Sequence, residues 1–177
     1  MKKYLVLFAL LLITSSAFAQ TAAPAVKIGY VDSETILAQY SEAIKAKSDI
    51  DGLVAKWKAQ IDSMAAELQA SYGEYQKQAA TMSPEKQKEQ QTKIVEKEQK
   101  AQQFRDQKFN QPNGEYFVRQ EQIMAPVKTK IFNAINDIAK DESMQFVFDK
   151  AGDVILLYAD QQFDITFKVL DRLKRGK

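Results

Sequence analysis

The feature that most constrains this chain is one long apolar stripe that runs outward, stops at a turn and comes back. Ile36, Tyr40, Ile44, Ile50, Val54, Trp57, Ile61, Met64, Leu68, Tyr72, Tyr75, Ala79 and Met82 recur, from Ile50 onward, at steps of four or three residues. That spacing keeps them on one face of an α-helix. Because only one face is apolar, the helix must lie along a partner rather than sink into a globular core. Gly52 and Gly73 weaken it locally without ending it.

The stop is at Thr81-Met82-Ser83-Pro84-Glu85, where Ser83 suits a helix N-cap and Pro84 the first helical position, in which the missing N–H costs nothing. Glu85 to Lys108 is then dominated by Glu, Lys and Gln, with Ile94, Val95, Ala101 and Phe104 nearly its only apolar residues. Composition alone would allow disorder; strong helix formers facing an apolar stripe select a solvated helix. Residues equidistant from the turn support a hairpin: Met64 meets Phe104, Trp57 meets Phe109, Ile50 meets Phe117, Ile44 meets Ile123 and Ile36 meets Ile131. The reading is an antiparallel, coiled-coil-like arm reaching roughly 60 Å. Asn110-Gln111-Pro112-Asn113-Gly114 predicts a flexible break in the return helix, and Pro126 a kink towards the chain ends.

The two ends carry a different pattern. Val26 to Val31 reads as a strand, with Asp32 and Ser33 as helix-capping residues. After Pro126 the helical pattern Val127, Ile131, Ala134, Ile135, Ile138 continues to about Asp141. Gln145 to Phe148 then predicts a strand, Asp149 to Asp153 a turn, and Val154 to Tyr158 a second strand of a hairpin. Val154-Ile155-Leu156-Leu157 lacks alternation, which predicts burial on both faces. Asp164 is placed to cap a last helix, Ile165 to Arg172, with Ile165, Val169 and Leu173 inward. The expected fold is α+β and predominantly helical: body segments at 20–40 and 126–177, a three-stranded sheet between them, and an arm over 41–125 with its tip at 82–85. A body so small has a marginal core and open sheet edges. A symmetric homo-oligomer follows, with Ile28, Tyr30, Val31, Val147, Val154, Leu156 and Ile165 as candidates for body core and subunit contact.

Residues 1–19 read as a secretion signal. Lys2 and Lys3 precede an apolar run from Leu5 to Ile13, and Ala17-Phe18-Ala19 provides small residues for cleavage between Ala19 and Gln20. The run is about half the length needed to span a bilayer. Lys2 and Lys3 are the only charges in this segment and account for the formal +2 of the chain, so the remainder carries 23 basic and 23 acidic side chains. That balance disfavours nucleic acid as a partner. Arg172, Lys174, Arg175 and Lys177 read as a solvated helix end.

The chain contains neither histidine nor cysteine, which removes the usual base near neutral pH, the thiolate nucleophile and the best transition-metal ligands. Its six glycines are scattered, with no phosphate-cradling loop. No enzyme, cofactor, metal or ATP use is expected.

In their order and spacing, Tyr30-Val31-Asp32, the Lys/Glu/Gln-rich hairpin, Val147-Phe148-Asp149, Tyr158-Ala159-Asp160 and Asp164-Ile165-Thr166 resemble the Skp/OmpH family over essentially the whole mature chain. The resemblance implies a homotrimer whose sheets close into a β-barrel body, three arms around a cavity, and a periplasmic holdase for unfolded outer-membrane β-barrel proteins that needs no ATP. Trp57, Met64, Tyr72, Tyr75, Met82, Phe104, Phe109, Tyr116 and Phe117 are then the candidate client contacts. Each could instead pack within its own hairpin, and for Trp57, Met64 and Phe104 packing is the stronger reading. The arm departs from the basic character frequent in that family: 41–78 holds five basic and six acidic side chains, 85–108 seven and five. Attraction to acidic clients, lipopolysaccharide or a membrane surface is therefore not expected. The same helices would also serve a structural or adaptor protein of the envelope.

Overall fold

The computed structural model describes residues 26–153 and 155–176; the leader, with its Ala19–Gln20 junction, and Val154 lie outside the described residues. Strand β1, Ile28–Val31, opens the fold. The Asp32 carboxylate accepts the Thr35 N–H at 2.9 Å and so starts helix α1, Ser33–Gln39. Helix α2 follows as Ser41–Gln78, and its 38 residues give a rod of about 57 Å.

The tip forms as its residues predict. A short 3₁₀ turn, Ala79–Thr81, ends the outgoing helix, and Ser83 Oγ accepts the Lys86 N–H at 3.4 Å with Pro84 at the start of α3, Pro84–Phe109. Gln87 donates its side-chain amide to the Ala79 and Met82 carbonyls at 2.8 and 3.3 Å, which ties off backbone acceptors the turn leaves open. Helix α3 runs back along α2, and α4, Glu115–Asp141, continues the return past the base of α2 into the body. Pro126 sits inside α4 on its exposed side and does not end it.

The expected single outgoing helix is broken at Tyr40. Its backbone is extended (φ −81°, ψ 119°), yet its N–H still reaches the Ile36 carbonyl at 2.9 Å and its carbonyl accepts from Ile44 at 3.0 Å. The side chain is 4 % exposed, and the break resets the helical phase so that Ala43 and Ala46 face inward. Ile44, expected to meet Ile123, is instead half exposed at 51 %. Ile36 and Ile131 do share the core, and Trp57 does meet Phe109.

The sheet differs from expectation in topology. Strand β2, Phe146–Asp149, pairs in parallel with β1, in the register Ile28 to Phe146 and Val31 to Asp149. On its other side β1 is flanked by Asp164 and Ile165, whose N–H donates to the Tyr30 carbonyl at 3.0 Å. The Asp149–Asp153 turn forms, with Asp149 Oδ1 accepting the Ala151 N–H at 3.0 Å. The strand expected after it, with burial on both faces, is absent among the described residues: Ile155 is 84 % and Leu157 94 % exposed. Both sides of β1 are occupied, and no antiparallel partner for this apolar run is present among the described residues.

Helix α5, Thr166–Arg175, begins where Asp164 Oδ1 accepts the Thr166 N–H at 2.9 Å. It buries Thr166, Val169 and Leu170, with Leu173 partly covered, against α1 and α4. The core thus joins Val31, Ile36, Tyr40, Ala43, Val127, Ile131, Ala134, Ile138, Ile165, Val169 and Leu170.

Candidate functional site

Two surfaces stand out once the packing is in place. The first is one face of the sheet. The parallel register sets Ile28 beside Phe146 and Tyr30 beside Phe148, while Gly29, Val147 and Val31 turn to the helices. A Cβ at Gly29 would come within 2.3 Å of Met144 Sδ, so the flexible end of Met144 would have to swing aside to admit one. On the open face Ile28, Phe146 and Phe148 remain exposed, and Leu156, Tyr158 and Phe163 border the same hollow. Tyr30 lies deeper; burial first, and the Asp164 carboxylate second, push its phenol above the ordinary pKa of 10. Of the residues proposed from sequence for body core and assembly, Val31, Ile165 and the half-buried Val147 serve this chain's own core. Ile28, Tyr30 and Leu156 line the open face, and Val154 lies outside the described residues.

The second surface is the arm. At the joint between α3 and α4, Gly114 N–H donates to the Asn110 carbonyl at 2.6 Å. Trp57 packs edge-on against Phe109 at 5.9 Å between ring centres, Phe109 lies 6.3 Å from Tyr116, and Tyr116 lies 5.0 Å from Phe117. The Lys108 ammonium stands 5.4 Å from the Trp57 ring centre and 5.2 Å from that of Phe104, an arrangement favoured by the electron-rich ring faces. It also pairs across the break with Glu115, which Arg119 approaches at 3.6 Å. The bond from Lys108 holds the Glu115 carboxyl below its ordinary value of 4.5.

The sequence-derived contact residues therefore divide. Trp57 is buried against its own hairpin, and Phe104, Phe109, Tyr116 and Phe117 are half-buried around it. Met64 lies half-buried on the hairpin seam, Met82 half-buried at the tip, and Tyr75 half-buried with its hydroxyl accepting from Gln91 at 2.6 Å. Tyr72 is exposed. Val95, Val118, Phe132 and Phe167 are exposed apolar residues that the sequence reading did not single out. Their signal was present for Phe132 and Phe167, which fall outside the inward sets of their helices.

Charge is neutralised locally over the body. Arg172 bonds to Asp137 at 3.4 Å and to Asp141, Arg175 pairs with Asp171 at 2.7 Å, and Glu142 joins Lys27 at 3.2 Å to Lys168. The basic tail is thus largely compensated by acidic neighbours rather than left as a free cationic patch. No group of three or more potential metal-ligating side chains occurs among the described residues. No described helix is long and apolar enough to cross a membrane.

Fold and surfaces define a class, a small α+β body bearing a long helical hairpin. More particularly, the chain belongs to the OmpH-like outer membrane protein family, whose pattern it matches over residues 27–173. It is similar in fold to the crystal structure of an OmpH-like candidate outer membrane chaperone from Caulobacter crescentus. The two superimpose with a TM-score of 0.73 at 13 % identity, covering 91 % of this chain and 92 % of the other. No curated protein matches the sequence.

Proposed function

We propose that this protein is a periplasmic holdase without enzymatic activity, which keeps unfolded outer-membrane β-barrel precursors from aggregating between the arms of a homotrimer. The observation that carries the reading is the arm itself. A rod of 38 residues is covered along one seam only, with Tyr72, Val95 and the partly covered Met82 displayed among charges of both signs. Such a surface suits weak, repeated contact rather than one tight site.

The physical fit is with a barrel strand in transit, which alternates apolar and polar side chains and satisfies its backbone only when the barrel closes. Several arms around one guest raise the effective concentration of each weak contact. Release then requires only a better resting place for the guest. The open sheet face and the exposed Ile155, Leu157 and Tyr158 support assembly, because apolar area of that kind is covered in most stable proteins. Neutral arms favour capture by apolar contact over attraction to acidic lipid.

The test is dilution of a urea-unfolded outer-membrane β-barrel protein into buffer with or without the chain, with no nucleotide, followed by light scattering. Suppression reaching completion near one trimer per client is expected. Unchanged scattering would favour a spacer or adaptor of the envelope.

A further inference from the structure

Asn113–Gly114 is the one Asn-Gly pair in the chain, and it lies in the joint of the arm. Asn113 is exposed to water, whereas Gly114 is buried. A glycine after asparagine leaves the following backbone nitrogen unhindered, which is the condition for attack on the asparagine side chain. In the folded joint that nitrogen is engaged, its N–H donating to the Asn110 carbonyl at 2.6 Å. The surrounding backbone is also close: a Cβ at Gly114 would meet Asn110 N and O at 2.8 Å and the Lys108 carbonyl at 3.0 Å. The Lys108–Glu115 ion pair and the Trp57–Phe109–Tyr116 cluster hold the two helix ends around it.

We propose that Asn113–Gly114 is a deamidation site gated by the arm joint, closed while the joint is packed and open when it separates. The Gly114 nitrogen, giving up its proton to solvent, attacks Asn113 Cγ. The new C–N bond forms as the bond to the side-chain nitrogen breaks, and ammonia leaves with a proton from water. Water then opens the cyclic imide. Cleavage of the Cγ–N bond gives aspartate, and cleavage at the former main-chain carbonyl gives isoaspartate. Neither step changes an oxidation state.

The isoaspartate product lengthens the main chain by one carbon immediately before Gly114, where the backbone has no slack. The Asn110–Gly114 bond and the close packing of Gly114 cannot both survive that insertion. A chain whose joint has opened often is therefore marked covalently, and the mark loosens the joint further. This chemistry proceeds whether or not the arms hold a client.

The test follows the mature full-length chain by peptide mapping and enzymatic isoaspartate labelling at mildly alkaline pH, in native buffer and in guanidinium. Conversion at Asn113 is expected to be about tenfold slower or more in the folded state, since local opening must precede attack. Glu115→Gln, shown to be folded by its helical dichroism, is expected to convert faster than the parent, and Asn113→Ser gives no product at position 113. Equal rates in native buffer and guanidinium would overturn the gating. So would a parental rate in folded Glu115→Gln. Absence of conversion at Asn113 in guanidinium, while Asn110, Asn133 or Asn136 converts, would remove the site altogether.

Discussion

Glu142 shows how much of the body one side chain can tie together. It closes α4, and its carboxylate takes Lys168 of α5 and Lys27 ahead of β1, so both chain ends meet on one acid. Those bonds hold its pKa below the ordinary 4.5, the one from Lys168 contributing most. A depressed carboxyl pKa stabilises the folded state above the unfolded value, and the gain is lost as pH falls through the folded value. Glu142→Gln should therefore flatten the acid limb of stability below about pH 4.5 and leave the slope above neutrality unchanged, as read by urea unfolding across pH. Tyr40 acts at the other extreme: burial, with Glu42 beside it, pushes its phenol up to about 12. Its contribution is complete below the ordinary pKa of 10 and fades as pH rises towards that value of about 12. The Glu142 link is not legible in the residue pattern, because Lys27, Glu142 and Lys168 are brought together only by tertiary contact.

At the scale of elements, the hairpin was legible because its two stripes are long and its turn carries Ser83 and Pro84. What escaped was the phase at the root of α2. Counting only large apolar residues put Ile44 on the stripe and left a gap of six before Ile50; counting Ala43 and Ala46 closes that gap. Tyr40 breaks the helix for a tertiary reason, its burial in the body, which no local propensity announces. Ile44→Ala is therefore expected to change stability by no more than about 0.5 kcal/mol. Ile50→Ala, which empties a covered position, should cost about 2–4 kcal/mol in chemical denaturation. Comparable losses at both positions would contradict the phase described here. The joint at Asn110–Gly114 is legible as a break, and the Trp57–Phe109 contact follows from the hairpin register, but the Lys108–Glu115 pair that closes the joint is not, because it forms only where the turn brings the two helix ends together.

For the whole molecule, an α+β body and a helical arm are legible in the residue pattern, whereas the way the sheet is made is not. An apolar run following a turn suggests the simplest pairing, a hairpin after Asp149. The chain instead uses β1 for both of its available partnerships and leaves Ile155–Tyr158 facing outward. If that segment meets a neighbouring copy, Leu157→Asp should preserve the helical dichroism of the chain while lowering its sedimentation coefficient to that of a monomer. An unchanged coefficient would place the subunit contact elsewhere. The parallel pairing also has a consequence for the order in which the protein can form. Gln145 donates to Lys27 across 118 positions, and Ile165 must arrive before the far side of β1 is satisfied. Contacts of such long range are slow to form. During synthesis from the N-terminus all three long helices therefore emerge before the piece that anchors them, and a chain interrupted short of Ile165 is all lever and no fulcrum.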